Sequence, residues 1–154
     1  MILNRQRAVR VARRPLELFL TRAQEALGLE KADITICFVS DSEIARMNEA
    51  FRKKKGPTDV LSFPAIPRRA PASVSTRRKE GRRRKMKSAV ILGDIAISPA
   101  TARRNARKLG RTLASELQVL ILHGVLHLLG YDHETDRGRM DRVEMRLRRR
   151  LGLT

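Results

Sequence analysis

One apolar stretch constrains the fold of this chain more than any other, because every histidine lies in it or just after it. Residues 113–129 are apolar on nearly every side of the helix that they predict, which is typical of a helix buried in the middle of a domain. The chain has three histidines, His123, His127 and His133. Two histidines on a buried apolar helix must be explained, either as core residues with hydrogen-bond partners or by a chemical role.

The spacing of the histidines favours metal binding. Residues four apart differ by about 40° around a helix and by about 6 Å along it, so His123 and His127 project from one face. Gly130 is expected to end the helix, and the turn that follows can bring His133 round as a third ligand. Three imidazoles suit zinc and leave a fourth tetrahedral position open, as in a catalytic site. The alternative is a pair of ordinary core histidines, which the absence of histidine elsewhere disfavours.

The same spacing matches the ligand frame of the metzincin proteases, H-E-x-x-H-x-x-G-x-x-H, with one difference. Those enzymes carry a glutamate as general base where this chain has Gly124. The sequence therefore has the three metal-binding histidines of a metzincin protease but not the glutamate that acts as its general base. A metal-dependent protease remains an alternative, but a reaction with another source of activation is favoured.

Charge narrows the class of partner. The 154 residues are expected to form one domain, and 34 Lys and Arg against 16 Asp and Glu give a net charge of +18. This balance favours nucleic acid first and an anionic membrane second. The chain shows neither an apolar run long enough for a membrane span nor a signal peptide, so we expect a cytoplasmic protein without a membrane partner. Cys37 is expected to be a buried strand residue, with no disulfide.

Strands and helices are expected to interleave, which indicates an α+β domain. The apolar patterns and turn residues predict strands over about 2–11, 33–39, 57–64 and 89–98, and helices over about 15–27, 41–51, 99–109, 112–129 and 137–151. Expected N-caps are Ser40 or Asp41, Ser98 and Thr112. Gly93, inside a strand, indicates a bulge or a close backbone approach.

Two basic regions fit a nucleic-acid partner. Residues 65–88 form an expected flexible surface insertion, and 68–87 hold ten Lys or Arg against one acid, Glu80. Contact with phosphates through counterion release is favoured there over a merely solvated loop. The helix over 99–109 exposes a second basic surface that includes Arg103 and Arg107. In the short strand before the insertion, Asp59 and Ser62 either belong to a polar site or bond to neighbouring backbone.

Three segments together support a family resemblance. The segment His123-Gly-Val-Leu-His127-Leu-Leu-Gly130-Tyr-Asp-His133 resembles the H-G-x-L-H-L-x-G-Y-D-H signature of the YbeY family, which comprises bacterial rRNA maturation factors that are metal-dependent, single-strand-specific endoribonucleases. The stretch from Asn48 to Pro64 and the run Gly93-Asp-Ile-Ala-Ile-Ser98 agree with the family in the expected order. The basic insertion departs from the family, whose members are usually shorter and less charged there.

The resemblance implies a fold and a biological role. It implies a small mixed four-stranded sheet packed with about five helices around a buried central helix. It also implies one Zn²⁺ per chain, held by His123 and His127 of that helix and by His133 just after it. The implied substrate is single-stranded precursor rRNA of the small ribosomal subunit, in 16S rRNA 3′-end maturation and ribosome quality control. The implied partners include a ribosomal protein or a GTPase assembly factor.

The resemblance also places Arg52 beside the metal. Its guanidinium fits a phosphate bidentately, so we take Arg52 and His127 as candidate catalytic residues. Asp132 and Asp59 are candidates to orient the ligands, although Asp132 could merely cap the turn. Candidate contacts to nucleic acid are Arg52, Lys54, Arg103 and Arg107. A non-catalytic ribosome-assembly protein with a structural metal is a further alternative.

Overall fold

A computed structural model describes residues 1–65 and 90–153. Its four strands form one mixed sheet in the order β1-β2-β4-β3, in which only β3 runs antiparallel to its neighbour. The strands are β1 (Ile2–Asn4), β2 (Ala32–Phe38), β3 (Val60–Pro64) and β4 (Val90–Ile97). The helices are α1 (Arg13–Leu27), α2 (Asp41–Arg52), α3 (Pro99–Lys108), α4 (Leu113–Leu128) and α5 (Arg139–Leu151). The predicted α+β class is confirmed, while the basic insertion from residue 66 onward lies outside the described residues.

The helix starts follow the predicted capping chemistry. Ser40, Ser98 and Thr112 each precede a helix, and each side chain accepts a hydrogen bond from the backbone N–H three residues later, at 3.1–3.2 Å. Of the two candidates before α2, Ser40 is therefore the cap. Asp41 instead bonds to α3 through the hydroxyls of Ser98 and Thr101.

The predicted N-terminal strand over 2–11 is too long, since β1 ends at Asn4. The side chain of Gln6 is buried and bonds to the backbone of Val9 in both directions, donating from Nε2 at 2.8 Å and accepting at Oε1 at 2.9 Å. These local hydrogen bonds take the place of the backbone hydrogen bonds to a neighbouring strand that a longer β1 would need.

Helix α4 lies at the centre of the domain, as predicted. It packs against β3 and β4 on the sheet and against α1, α3 and α5. Ile121, Leu122, Val125 and Leu126 are fully buried. Within residues 1–65 and 90–153, the helices fall short of the length and apolarity needed to cross a membrane.

Both expectations for Gly93 hold. Asp33 pairs with Ile91 and Ile34 with Gly93, so β4 carries one extra residue at this point. The φ angle of Gly93 is 144°, and a Cβ there would lie 2.3 Å from the Phe63 carbonyl oxygen and 2.8 Å from a methyl of Leu128. Glycine at this position lets β4 and β3 approach α4 closely.

Cys37 lies in β2 as expected but is only half-buried. Alternate residues of β2 face the main core, and Cys37 points to the other side, against a smaller apolar cluster under α2. Burial is the largest influence on its thiol and raises its pKa above the usual value.

Candidate metal centre

Three imidazoles converge beside the end of α4. His123 and His127 come from successive turns of the helix, and their Nε2 atoms lie 3.1 Å apart. His133 comes from the loop after the helix, and one donor atom from each of the three residues lies within 4.8 Å of the other two. The three histidines predicted from the spacing are thus brought together.

The turn after α4 places His133. Gly130 adopts a φ of 94°, and the backbone N–H groups of Gly130 and Tyr131 donate to carbonyls of the last helical turn, those of His127 and Leu126. The carboxylate of Asp132 accepts hydrogen bonds from the Glu134 N–H at 3.0 Å and from the Thr135 hydroxyl at 3.2 Å. Asp132 therefore shapes the loop around His133, as the capping alternative predicted.

The donor set fits one metal ion. Zinc–nitrogen bonds of about 2.0–2.1 Å place donors around a tetrahedral ion about 3.4 Å apart. The separation of 3.1 Å between His123 and His127 is close to that distance. His133 is exposed, and a movement of roughly 1–2 Å by its ring would complete the set.

A carboxylate that the sequence analysis missed holds the first histidine. Glu144 of α5 is buried, and its Oε2 lies 2.8 Å from His123 Nδ1, while its other oxygen accepts from Arg148. The signal in the sequence was an acid within the apolar stripe of α5, four residues after Met140 and three before Leu147. A buried acid on an apolar helix face needs a partner.

The electrostatic setting keeps His127 in its metal-binding form. Burial lowers the pKa of His127 below its usual value, and the neighbouring His123 and His133 lower it further. The backbone of Tyr131 and the charge of Asp132 act in the opposite direction and are outweighed. His127 is therefore neutral near pH 7, with a lone pair available for a metal.

The histidines open into a cavity of about 920 Å³ between α4 and the segment from α2 to β3. Arg52, the last residue of α2, lines this cavity together with Phe51. The buried Asn48 fixes the loop that follows, since its Nδ2 donates to the Gly56 carbonyl at 3.0 Å. Arg52 thus shares a cavity with the three histidines.

The other predicted site residues lie at different distances from the centre. Asp59 lines the cavity, and its carboxylate accepts from the amide of Asn105 at 3.2 Å and from the hydroxyl of Thr58 at 3.4 Å. Ser62 donates to the Gly124 carbonyl of α4 at 3.1 Å. Three exposed basic residues do not belong to the described lining of the cavity: Lys54, Arg103 and Arg107.

Gly124 faces the sheet at close range. A Cβ at this position would lie 2.8 Å from Cγ2 and 2.9 Å from Cδ1 of Ile95 in β4. The packing leaves no space for the glutamate that a metzincin protease carries at this point of its motif. The geometry thus opposes the protease alternative.

Comparisons with known proteins identify the family of this chain. The family model for Endoribonuclease YbeY matches residues 2–152. The chain belongs to the YbeY endoribonuclease family. Endoribonuclease YbeY of Koribacter versatilis is 40% identical over 153 residues, which are 99% of this chain and 86% of the relative. Endoribonuclease YbeY of Solibacter usitatus is 42% identical over 149 residues, 96% of this chain and 86% of the relative.

A solved structure shares the fold of this YbeY-family chain. It is the solution structure of TM1509 from Thermotoga maritima, with a TM-score of 0.54 and 26% sequence identity. The match covers 94% of this chain and 83% of that protein. The family resemblance predicted from the three sequence segments is confirmed.

Proposed function

We propose that this YbeY-family protein is a zinc-dependent endoribonuclease that cuts single-stranded RNA. The observation that carries the proposal is the convergence of three imidazoles in a cavity that Arg52 also lines. The names of the relatives support RNA as the substrate, and the net charge of +18 fits a polyanion.

His123, His127 and His133 would hold the zinc. When bound by these three residues, zinc would supply Lewis-acid chemistry, lowering the pKa of a bound water and polarising a phosphoryl oxygen. Activation of water by the metal would explain how the protein could hydrolyse RNA without a glutamate as general base at position 124. Three protein ligands, rather than four, would be typical of a catalytic rather than a structural zinc.

Arg52 binds the scissile phosphate in this proposal. Its planar guanidinium donates two parallel hydrogen bonds to phosphate oxygens and neutralises the negative charge that develops in the transition state. Asp59 and Asp132 act indirectly, by positioning the walls of the cavity and the loop of His133. Flanking phosphates are bound outside the cavity by Lys54, Arg103 and Arg107.

The family resemblance supports a ribosomal RNA as the natural substrate. We propose precursor rRNA of the small ribosomal subunit, with a role in 16S rRNA 3′-end maturation and in ribosome quality control in the cytoplasm. A ribosomal protein or a GTPase assembly factor is the proposed partner. The high positive charge is consistent with docking onto an assembling ribosome.

Cutting of a labelled single-stranded RNA tests the proposal. We expect His127→Ala and Arg52→Ala each to lower the rate at least about 100-fold, since each removes an interaction with the reacting centre. Arg46→Ala, at another exposed arginine of α2, is the matched control and keeps the wild-type rate. Unchanged cutting by both site variants would place the activity elsewhere.

The same preparations separate the alternatives. Tight binding of precursor rRNA that survives the histidine substitutions, without any cutting by the wild-type protein, would indicate a non-catalytic assembly factor. Peptide hydrolysis that a chelator stops would restore the metalloprotease hypothesis.

A further inference from the structure

Three of the five aromatic residues of this chain line the cavity of the three histidines. The sequence has four phenylalanines, one tyrosine and no tryptophan. Phe19 and Phe38 are buried in the main core. Phe51, Phe63 and Tyr131 line the cavity of the three histidines, and Tyr131 also belongs to the main core. In a chain so poor in aromatic residues, this distribution calls for a role at the cavity.

Phe51 is the unusual member of this group. Its side chain is 69% exposed, whereas Tyr131 is 3% exposed. The α2 periodicity places Phe51 on the same side as the buried Ile44 and Asn48, but the helix end extends beyond the core and leaves the ring on the cavity wall. An exposed phenylalanine ring gains little for folding, since the hydrophobic free energy comes from the area removed from water.

The ring of Phe51 is nevertheless held in place. It contacts Phe63 in an edge-to-face arrangement, with ring centroids 4.8 Å apart and an interplanar angle of 68°. Phe63 belongs to β3 and pairs with Asp94 of β4, so the supporting ring is anchored to the sheet. Phe51 therefore presents a pre-positioned aromatic surface to the cavity, directly before Arg52 in sequence.

We propose that Phe51 is a stacking platform for one nucleobase of the RNA, next to the phosphate bound by Arg52. The proposal rests on the proposed function and adds a positioning residue to it. Bases stack on aromatic rings only when they are unpaired and splayed out, and this stacking tolerates any base. Phe51 would then select single strands over duplexes without reading a particular sequence.

The lack of tryptophan makes a direct test possible. The Phe51→Trp variant carries one indole at the proposed platform, and stacking on a base quenches its fluorescence. Leu18→Trp is the matched control, because Leu18 of α1 is 61% exposed and is not part of the described cavity lining. The probes are a ten-nucleotide oligoadenylate and an abasic ribose-phosphate chain of equal length, mixed by stopped flow so that binding precedes cutting.

Oligoadenylate is expected to quench the fluorescence of Phe51→Trp and to leave that of Leu18→Trp unchanged. The abasic chain is expected to quench neither. Loss of one stacked base corresponds to about tenfold weaker binding, so Phe51→Ala should bind oligoadenylate about tenfold more weakly and the abasic chain equally well. Phe51→Tyr should restore the affinity. Unaltered fluorescence of Phe51→Trp with RNA that is bound and cut would overturn the stacking role alone. Wild-type protein that neither binds nor cuts the RNA would overturn the proposed function as well.

Discussion

Glu144 Oε2 lies 2.8 Å from His123 Nδ1, and this contact joins helix α5 to the three-histidine cluster beside α4. Burial raises the pKa of Glu144, but His123 and Arg148 outweigh it and hold that pKa below its usual value. The ionised carboxylate only accepts hydrogen bonds, so Nδ1–H of His123 donates. The Nε2 lone pair of His123 is then free and faces His127. Glu144 thus selects the tautomer that can bind a metal.

Removing the charge of Glu144 tests this role. We expect Glu144→Gln to weaken zinc binding by about 10- to 100-fold, the usual effect of losing a carboxylate behind a metal-binding histidine. Glu25→Gln, at an exposed glutamate of α1, is the control and should bind zinc normally. A competition titration with a chromophoric chelator measures both affinities. Equal affinities would show that Glu144 only packs between the helices.

Gly93 gives a prediction about stability. An alanine Cβ would meet the Phe63 carbonyl oxygen at 2.3 Å and would hold a positive φ, so Gly93→Ala should destabilise the fold by about 2–5 kcal/mol. Gly28→Ala also places alanine at a positive φ, but its Cβ would meet nothing within 4 Å. This variant should therefore lose only about 1–2 kcal/mol of unfolding free energy. Urea unfolding followed by circular dichroism compares the two variants. Equal losses would contradict the close approach of β3 and α4 to Gly93.

Asp41 gives a prediction about pH. Burial raises its pKa, but hydrogen bonds from Ser98, Thr101 and Arg104 outweigh burial and lower the pKa below its usual value. A depressed pKa stabilises the fold above the pKa of the unfolded state, and this contribution is lost as the pH falls through the folded-state value.

We therefore expect Asp41→Asn to lower the free energy of unfolding at pH 7 and to approach the wild type below about pH 4. Asp33→Asn, at an exposed aspartate of β2, should stay close to the wild type at both pH values. Chemical unfolding at a series of pH values measures the differences. A deficit of Asp41→Asn that stays constant down to pH 3 would contradict the assignment.

The features predictable from sequence are those that local chemistry determines. The caps of α2, α3 and α4 depend on hydrogen bonds spanning three residues, and the three histidines lie within eleven residues of one another. Helix geometry and the turn at Gly130 were therefore enough to predict the cluster. A strand at β1 was predicted correctly but too long, because the side chain of Gln6 bonds to the backbone of Val9, and the apolar pattern of the sequence does not show such a bond.

The features that could not be predicted are contacts between distant segments. Glu144 reaches His123 across 21 residues, and the strand order β1-β2-β4-β3 depends on pairings that no local pattern encodes. The periodicity of α2 grouped Phe51 with Ile44 but did not show that the end of the helix projects past the core. Such features depend on where whole elements pack.

Zinc titration of metal-stripped protein, with bound zinc and cutting of single-stranded RNA measured in the same samples, tests the central claim most directly. We predict that cutting rises in proportion to bound zinc and reaches a plateau at about one ion per chain, as a single three-histidine site requires. His133→Ala, which removes the ligand on the exposed loop, should neither retain the ion nor cut. Full cutting by protein shown to contain no metal would contradict the account.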